Sequence, residues 1–436
     1  MEWASVAVVL VGGLLLAIFS GLPIALAFLI LDLLGMRFIM GSNFGDLAIR
    51  SIFASLTNPN LTPVPMFVLM GEFLFNSGVA VRALNTIEKW LGKLPGRLSV
   101  LTILAGALFS SLSGSTIANT AMLGSLLAPN MMEKKYHKSM IAGPITASGS
   151  LAMMFPLSSL TVVFGSIAGI DIGSLLVAGF LPGLLIAALY IVYTVLRCRR
   201  NPELAPAYEV QRYSTKAVLV ESLKHVLPLG LIVLATVGVI FLGIATPTDA
   251  AAIGTMVSLG LAIALGHFNL KVLWKSTIGT VRVTAMILVI VAASTAFSQL
   301  MAFSGATQSI LTALTALNLS PYWLLIGMLI IVFILGMFLE EVSIMMITLP
   351  IFMPVVTAAH INPIWFGVLM LSKLEIALFT PPVGVLLYTF KGVAPDEISM
   401  MDIWKASIPY VVCGLLGVVA ILVFPGLATF LISGRS

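Results

Sequence analysis

The apolar positions of this chain form long unbroken runs, separated by short polar loops, along all 436 residues. A helix of about 20 apolar residues crosses a hydrocarbon core of about 30 Å, so each full-length run predicts a membrane-spanning helix. The predicted spans are 3–31 (kinked at Pro23), 52–75 (broken near its prolines), 175–196, 226–244, 249–266, 283–303, 321–339 and 408–432. The pattern therefore predicts an all-α polytopic membrane protein.

Four interruptions lie inside apolar runs, at positions that would otherwise be at membrane depth. One is the serine- and glycine-rich stretch 110–119, and the others are 155–159, 339–343 and 380–384. Non-helical backbone is tolerated there only where protein or a water-filled cavity satisfies its N–H and C=O groups. The freed carbonyls and the hydroxyls suit a small cation or an anionic solute, and close helix packing at small residues is the structural alternative.

Polar residues are concentrated in segments that predict interfaces and loops. Residues 76–97 carry basic and apolar residues in the pattern of an amphipathic helix that lies in the membrane interface. Residues 197–224 form the longest polar stretch, and their excess of Lys and Arg places this predicted linker in the cytoplasm. The first run lacks a basic segment before it, so we expect a retained helix and not a cleaved signal peptide.

The composition narrows the class of protein. Hydrophobic residues make up 60% of the chain and charged residues 9%, which excludes a soluble domain. The net charge is +5, and the charged residues lie mostly in loops beside membrane lipid. This placement indicates how the chain is oriented in the membrane, and not nucleic-acid binding. The two cysteines, Cys198 and Cys413, match no disulfide framework or zinc spacing. The chain contains no HExxH, GxSxG or Walker sequence, so no motif predicts an enzyme, and any work it does must draw energy from an ion gradient or from a partner.

The two halves of the chain repeat each other at a nearly constant offset of 225 to 227 positions. The matching pairs are Pro129 and Pro354, Pro156 and Pro381, Asp171 and Asp396, Ser174 and Ser399, Ser77 and Ser304, Pro95 and Pro321, and Pro182 and Pro409. The interruptions match as well, 113–115 with 338–340 and 155–158 with 380–383. Transporters are commonly built from such repeats, with the site where interrupted segments of the two halves meet.

Several motifs, taken in order, resemble the large membrane subunit of tripartite ATP-independent periplasmic (TRAP) transporters over essentially the whole chain. They are Met70-Gly71-Glu72, Ser77-Gly78-Val79-Ala80, Ser113-Gly114-Ser115-Thr116-Ile117-Ala118-Asn119, Ala178-Gly179-Phe180-Leu181-Pro182-Gly183, Thr246-Pro247-Thr248-Asp249-Ala250-Ala251-Ala252-Ile253-Gly254 and Leu374-Glu375-Ile376-Ala377-Leu378-Phe379-Thr380-Pro381-Pro382-Val383-Gly384. The chain departs from the family pattern at Phe155-Pro156-Leu157-Ser158, at Lys373, where the family usually has Asn, and at Ala377, where it usually has Gly.

The resemblance implies a fold of two inverted repeats, each with a re-entrant hairpin and a broken helix, that move as an elevator against a scaffold. The domains expected on this basis are 1–97 (scaffold helices and interfacial arm), 98–196 (first transport repeat), 197–224 (cytoplasmic linker), 225–320 (second scaffold helices), 321–407 (second transport repeat) and 408–436 (C-terminal helix). The implied function is sodium-coupled uptake of a small organic acid across the bacterial inner membrane. The implied partners are a periplasmic substrate-binding protein and a separate Q-type small membrane subunit of four helices.

The interruptions, the repeat and the resemblance together predict two groups of site residues. The predicted cation-binding residues, for sodium as coupling ion and with no further cofactor, are Ser113, Gly114, Ser115, Glu340, Thr380, Pro381, Val383 and Gly384. The predicted substrate-binding residues are Asn119, Ser158, Ser159 and Lys373. Glu72 and Asp249 are interpreted as scaffold or subunit-interface charges.

Two charged positions leave alternatives open. Glu340 and Glu341 either bind a cation or lie at the membrane interface, since carboxylates at membrane depth are costly and usually functional. The ammonium of Lys373 either takes the place of a second sodium ion, or pairs with the substrate carboxylate, or is an ion-pair partner of Glu341 or Glu375.

Three other functions compete with a binding-protein-dependent importer. A receptor-independent sodium–carboxylate symporter would use a similar inverted-repeat design and need no soluble protein. A membrane enzyme would need clustered acid, base or metal ligands, whereas the chain carries isolated ones. A purely structural subunit would not need paired re-entrant breaks.

Overall fold

A computed structural model describes residues 3–40, 44–92, 94–113, 115–155, 158–206, 214–316 and 319–433. Within these ranges the regular secondary structure is helical. The α-helices are α1 (Trp3–Phe19), α2 (Ile24–Met40), α3 (Phe44–Leu56), α4 (Pro63–Asn76), α5 (Val79–Trp90), α6 (Arg97–Ser113), α7 (Thr116–Glu133), α8 (Lys138–Ser150), α9 (Ser159–Ala168), α10 (Ile172–Ala178), α11 (Phe180–Arg200), α12 (Thr215–His225), α13 (Leu227–Phe241), α14 (Pro247–Ala264), α15 (Leu270–Phe303), α16 (Ala306–Ala316), α17 (Pro321–Gly336), α18 (Glu341–Ala358), α19 (Pro363–Ala377), α20 (Val385–Lys391), α21 (Met400–Val423) and α22 (Gly426–Thr429).

Several helices are long and apolar enough to cross a membrane, which confirms the predicted multi-pass class. In the described part of the chain these are Ile172–Arg200, Pro247–Ala264, Leu270–Phe303, Glu341–Ala358 and Met400–Val423. The predicted spans 175–196 and 249–266 lie within a few residues of the observed helices Ile172–Arg200 and Pro247–Ala264. The closing helix begins at Met400 and ends at Val423, earlier at both ends than the predicted 408–432.

The expectation of one kinked span over residues 3–31 is wrong. The chain turns back between α1 and α2, where Gly21 adopts a left-handed conformation with φ +88°. The two helices pack antiparallel, since a Cβ on Gly13 would lie 3.3 Å from Leu31. Pro23 by itself predicts a kink inside one helix, but the left-handed backbone of Gly21 allows the chain to reverse its direction.

The repeat is visible in the local conformation of both halves. Gly78 and Gly305 are both left-handed with φ +73°, directly before α5 and α16. The side chains of His137 and Asn362 lie 225 positions apart, and each caps its helix, α8 or α19, by accepting a backbone N–H. These matching turns and caps show that the two halves fold alike.

Each repeat forms a helical hairpin that packs on a helix with a broken end. In the first repeat α6 and α7 pack on α8, and Gly106 of α6 lies directly against Ser148 of α8. In the second repeat α17 and α18 pack on α19, and Gly336 of α17 lies against Ala377 of α19. Small residues allow this close approach, as is common between helices in membranes.

A short helix of each repeat packs against the other repeat. After its break, the first repeat continues as α9, which packs on α18 of the second repeat, and α20 packs on α7 of the first. Gly124 of α7 faces the ring of Phe390 in α20. The hairpins and broken helices of both halves therefore form one interleaved core.

The remaining long helices pack beside this core. Helix α4 lies between α14 and α15, where Gly254 of α14 faces the sulfur of Met70, and α15 also packs on α2 and α3. The predicted linker contains the last turn of α11 and the helix α12, whose Glu221 forms a 2.5 Å ion pair with Lys89 of α5.

Candidate functional site

The tip of the first hairpin lies between α6 and α7. Ser115 is half-buried and caps α7 by accepting the N–H of Ala118 at 3.2 Å. One turn into the helix, the fully buried Asn119 donates from Nδ2 to the carbonyl of Gly106 at 3.3 Å and so braces the two arms. Gly114 and the side chain of Ser113 lie outside the described residues.

The tip of the second hairpin carries two carboxylates. Glu340 caps α18, and its side chain accepts the N–H groups of Val342 and Ser343 and the Ser343 hydroxyl, the last at 2.5 Å. Glu341 is only 4% exposed, and its Oε1 accepts the hydroxyl of Thr116 at 2.8 Å. Glu341 therefore lies at the contact between the two hairpin tips, and Glu340 lies beside it at the start of α18.

The break in the first broken helix is held by side chains from both repeats. The carboxylate of Glu375, on α19, accepts the N–H groups of Met153 and Met154 at 3.0 and 2.9 Å. The hydroxyl of Thr161 donates to the carbonyl of Met153 at 2.6 Å, and buried Ser158 accepts the Thr161 N–H at 3.3 Å. Ser159 begins α9 and is also buried.

The second break lies against the tip of the second hairpin. The N–H of Gly384 donates to the carbonyl of Met337 at 2.7 Å, and the Thr380 hydroxyl donates to the carbonyl of Ile376 at 2.7 Å. Pro381, joined to Pro382 by a cis peptide bond, and Val383 are half-buried beside them. The structure thus brings the four predicted cation-binding residues of this break next to the hairpin that carries Glu340, another member of the predicted set.

Lys373 faces the first arm of the second hairpin. Its ammonium lies 4.2 Å from the ring centroid of Phe333 on α17, a cation–π contact. The three ion pairs found among the described residues do not involve Lys373, so it does not pair with Glu341 or Glu375 there.

The two carboxylates interpreted as scaffold charges lie outside the hairpins. Glu72 of α4 accepts the side-chain amide of Asn76 at 2.8 Å and lies against Gly279 of α15. Asp249 forms a capping box with Thr246 at the start of α14. Both therefore stabilise helices of the surrounding bundle.

Sequence reasoning assigned no site role to Glu375 or Thr116, although each binds a group of the opposite repeat. For Glu375 the signal was present, because a carboxylate at membrane depth is rarely without a function. Thr116 carried no comparable signal, since hydroxyls commonly bond within their own helix.

Two re-entrant hairpins and two broken helices that meet inside a multi-pass helical bundle define a membrane transporter. The family model described as "Tripartite ATP-independent periplasmic transporter, DctM component" matches residues 11–427. The chain therefore belongs to the DctM family of TRAP transporter large permeases, and it is a transport protein and not an enzyme.

Individual relatives agree with this membership, and a solved structure shares the fold. The chain is 30% identical over 386 residues to the C4-dicarboxylate TRAP transporter large permease protein DctM of Pseudomonas aeruginosa, covering 88% of each chain. It is 28% identical over 427 residues to the ectoine TRAP transporter large permease protein TeaC of Halomonas elongata, covering 97% of each. The YdaH transporter of Alcanivorax borkumensis shares the fold, with a TM-score of 0.65 at 16% identity and coverage of 89% of this chain and 90% of that chain.

Proposed function

We propose that this chain is the translocating subunit of a sodium-driven importer of a small organic acid in the bacterial inner membrane. A periplasmic binding protein delivers the acid, and a small four-helix membrane subunit completes the complex. Membership of the TRAP large permease family supports this assembly. The relatives named for a C4-dicarboxylate and for ectoine support a small organic acid without deciding which one.

The observation that carries the proposal is the contact between interrupted segments of the two repeats. Glu375 of the second repeat bonds to the first break, and Thr116 of the first repeat bonds to Glu341 across the hairpins. Within the second repeat, Gly384 of the break bonds to the hairpin tip. Unwound backbone and the adjacent helix ends are the groups that hold sodium and substrate in transporters of this design. An anionic substrate is favoured at the N-termini of α7 and α9.

The proposed roles follow from this placement. Sodium binds through Ser113, Gly114 and Ser115 at the first hairpin tip and through Glu340, Thr380, Pro381, Val383 and Gly384 at the second hairpin tip and the second break. The substrate contacts Asn119, Ser158, Ser159 and Lys373. The interleaved core then moves as an elevator against the bundle that contains α4, α14 and α15.

The test is uptake of labelled organic acids into proteoliposomes that contain the chain and its small membrane partner. The sodium gradient and the soluble binding protein are each supplied or omitted. Uptake that requires both supports the proposal, and uptake that needs sodium but no binding protein would assign the chain as a receptor-independent symporter. Uptake that is unaffected by sodium would overturn sodium coupling.

A further inference from the structure

The hydrogen bond between Thr116 and Glu341 joins equivalent positions of the two repeats. The two residues are 225 positions apart, the same offset that relates the repeats, and each is the first residue of its helix. Ser115 and Glu340, which cap those helices, are related by the same offset. The contact therefore marks the point where equivalent surfaces of the two hairpin tips meet.

One oxygen of the Glu341 carboxylate has no hydrogen-bond partner in the part of the chain that the structure describes. Oε1 accepts the Thr116 hydroxyl, whereas Oε2 is buried and has no hydrogen-bond partner among the described residues. A buried charge is stable only when it is paired and its remaining lone pairs are satisfied. One hydroxyl on the other oxygen does not achieve this.

The elements around Glu341 supply no positive side chain to Oε2. Helix α18 packs against α9, α15, α16, α17 and α19. The basic residues of α15 lie in its first half, but α15 meets α18 through its second half, where Ser294 bonds to the carbonyl of Met346. Lys373 of α19 has its ammonium over the Phe333 ring. The described ion pairs include neither Glu340 nor Glu341.

Burial and the neighbouring carboxylate of Glu340 oppose a charge on Glu341, and the position at the start of α18 offsets them only in part. The N-terminus of a helix carries a partial positive charge that stabilises an anion in its first turn. A negative oxygen at this place requires a ligand that is positive or donates a hydrogen bond. An unmodified dicarboxylate substrate would bring further negative charge to the same place.

We propose that Oε2 of Glu341 binds a positively charged centre between the two hairpin tips, either a sodium ion or the cationic nitrogen of a zwitterionic acid. This inference deepens the proposed function and rests on it for the identity of the ion and of the transported acid. Binding here links the two tips through the ligand, beside their direct Thr116–Glu341 hydrogen bond.

The first arm of the test measures sodium binding without substrate. Thermal unfolding of the purified full chain is followed while sodium replaces choline at constant ionic strength. Glu341→Gln keeps the size and the acceptor for Thr116 but removes the charge. Loss of a charge-assisted contact is expected to raise the half-maximal sodium concentration about tenfold or more. Glu203→Gln, an exposed carboxylate in the linker, is the matched control and should not change it.

The second arm measures ligand preference at saturating sodium. The probes are succinate, a dicarboxylate, and 4-aminobutanoate, a zwitterion of similar length. If the positive centre is the substrate nitrogen, the wild type is stabilised preferentially by 4-aminobutanoate, and Glu341→Gln loses that preference by about tenfold. A loss confined to the first arm identifies sodium as the ligand, and a loss confined to the second identifies the substrate.

The proposal is overturned if Glu341→Gln matches the wild type in both arms, because the neutral amide then does everything the carboxyl group does. If the Gln variant does not fold, Glu341→Asp moves the carboxylate by one methylene, and an unchanged response in both arms overturns the proposal equally. A wild type with no sodium response contradicts the sodium coupling of the proposed function instead, and the ligand arm then decides this inference by itself.

Discussion

The carboxylate of Glu375 accepts the backbone N–H of Met153 at 3.0 Å, although the two residues belong to opposite repeats. Glu375 also accepts the N–H of Met154, which in addition donates to the carbonyl of Leu151 at 3.3 Å. Buried backbone N–H groups must be paired in a membrane, where water is absent. A side chain of the second repeat thus stabilises the interruption in the first.

Removing this acceptor should destabilise the core. Glu375→Ala removes the acceptor that the buried N–H groups of Met153 and Met154 share, and a buried N–H left without a partner costs about 1–3 kcal/mol. The N–H of Met154 keeps its bond to the carbonyl of Leu151. We expect a clear fall in the unfolding temperature of the purified chain and loss of uptake. Glu375→Gln retains an Oε1 acceptor and should be milder in both measurements. An Ala variant as stable and active as the wild type would show that the break is held by other groups.

Gly384 is expected to tolerate no side chain. Its backbone is left-handed with φ +54°, and a Cβ would lie 2.8 Å from the carbonyl oxygen of Thr380. Gly384→Ala should cost about 1–2 kcal/mol from the left-handed conformation alone and should displace the second break from Met337. Sodium-dependent uptake should fall sharply.

The control for this prediction is Gly392→Ala in the turn after α20. Gly392 has φ −65°, and its Cβ would meet no atom closer than 3.5 Å. Uptake by this variant should equal that of the wild type. Equal losses of uptake in both variants would show that the effect does not come from the backbone conformation at Gly384.

Thr380 should be needed for sodium binding beyond its structural hydrogen bond. Thr380→Val removes the predicted cation ligand and should weaken the apparent sodium affinity of uptake about tenfold or more, while Thr380→Ser should restore it. Thr389→Val is the matched control, because Thr389 also donates to the carbonyl four residues earlier, at 2.9 Å. A similar loss in both Val variants would assign the effect to the helix and not to an ion.

Lys373 should set the sodium stoichiometry or the substrate affinity. Lys373→Asn removes a positive charge about two turns before the second break, so it should either increase the number of sodium ions moved per substrate or weaken substrate binding. The sodium-to-substrate ratio is measured from the reversal potential of uptake. Lys373→Met preserves the apolar packing on Phe333 and separates the loss of charge from the loss of contact. Unchanged ratio and affinity would exclude both roles.

The sequence alone was sufficient for the class, the repeat and the places where the helices are interrupted. These features depend on interactions within a few residues: prolines remove a donor, serines and Asn compete as caps, and long apolar runs require a bilayer. The offset of 225 to 227 positions was likewise visible, because both halves keep proline, serine and glycine at equivalent turns, as at Gly78 and Gly305.

Only the tertiary structure decided which groups meet across the repeats. Glu375 was predicted at most as a partner of Lys373, but it binds the backbone of Met153 and Met154. The reversal at Gly21 and the contact between Thr116 and Glu341 also depend on packing between distant segments. A local pattern shows that a buried polar group needs a partner, but which partner it finds is determined by how helices far apart in the chain pack together.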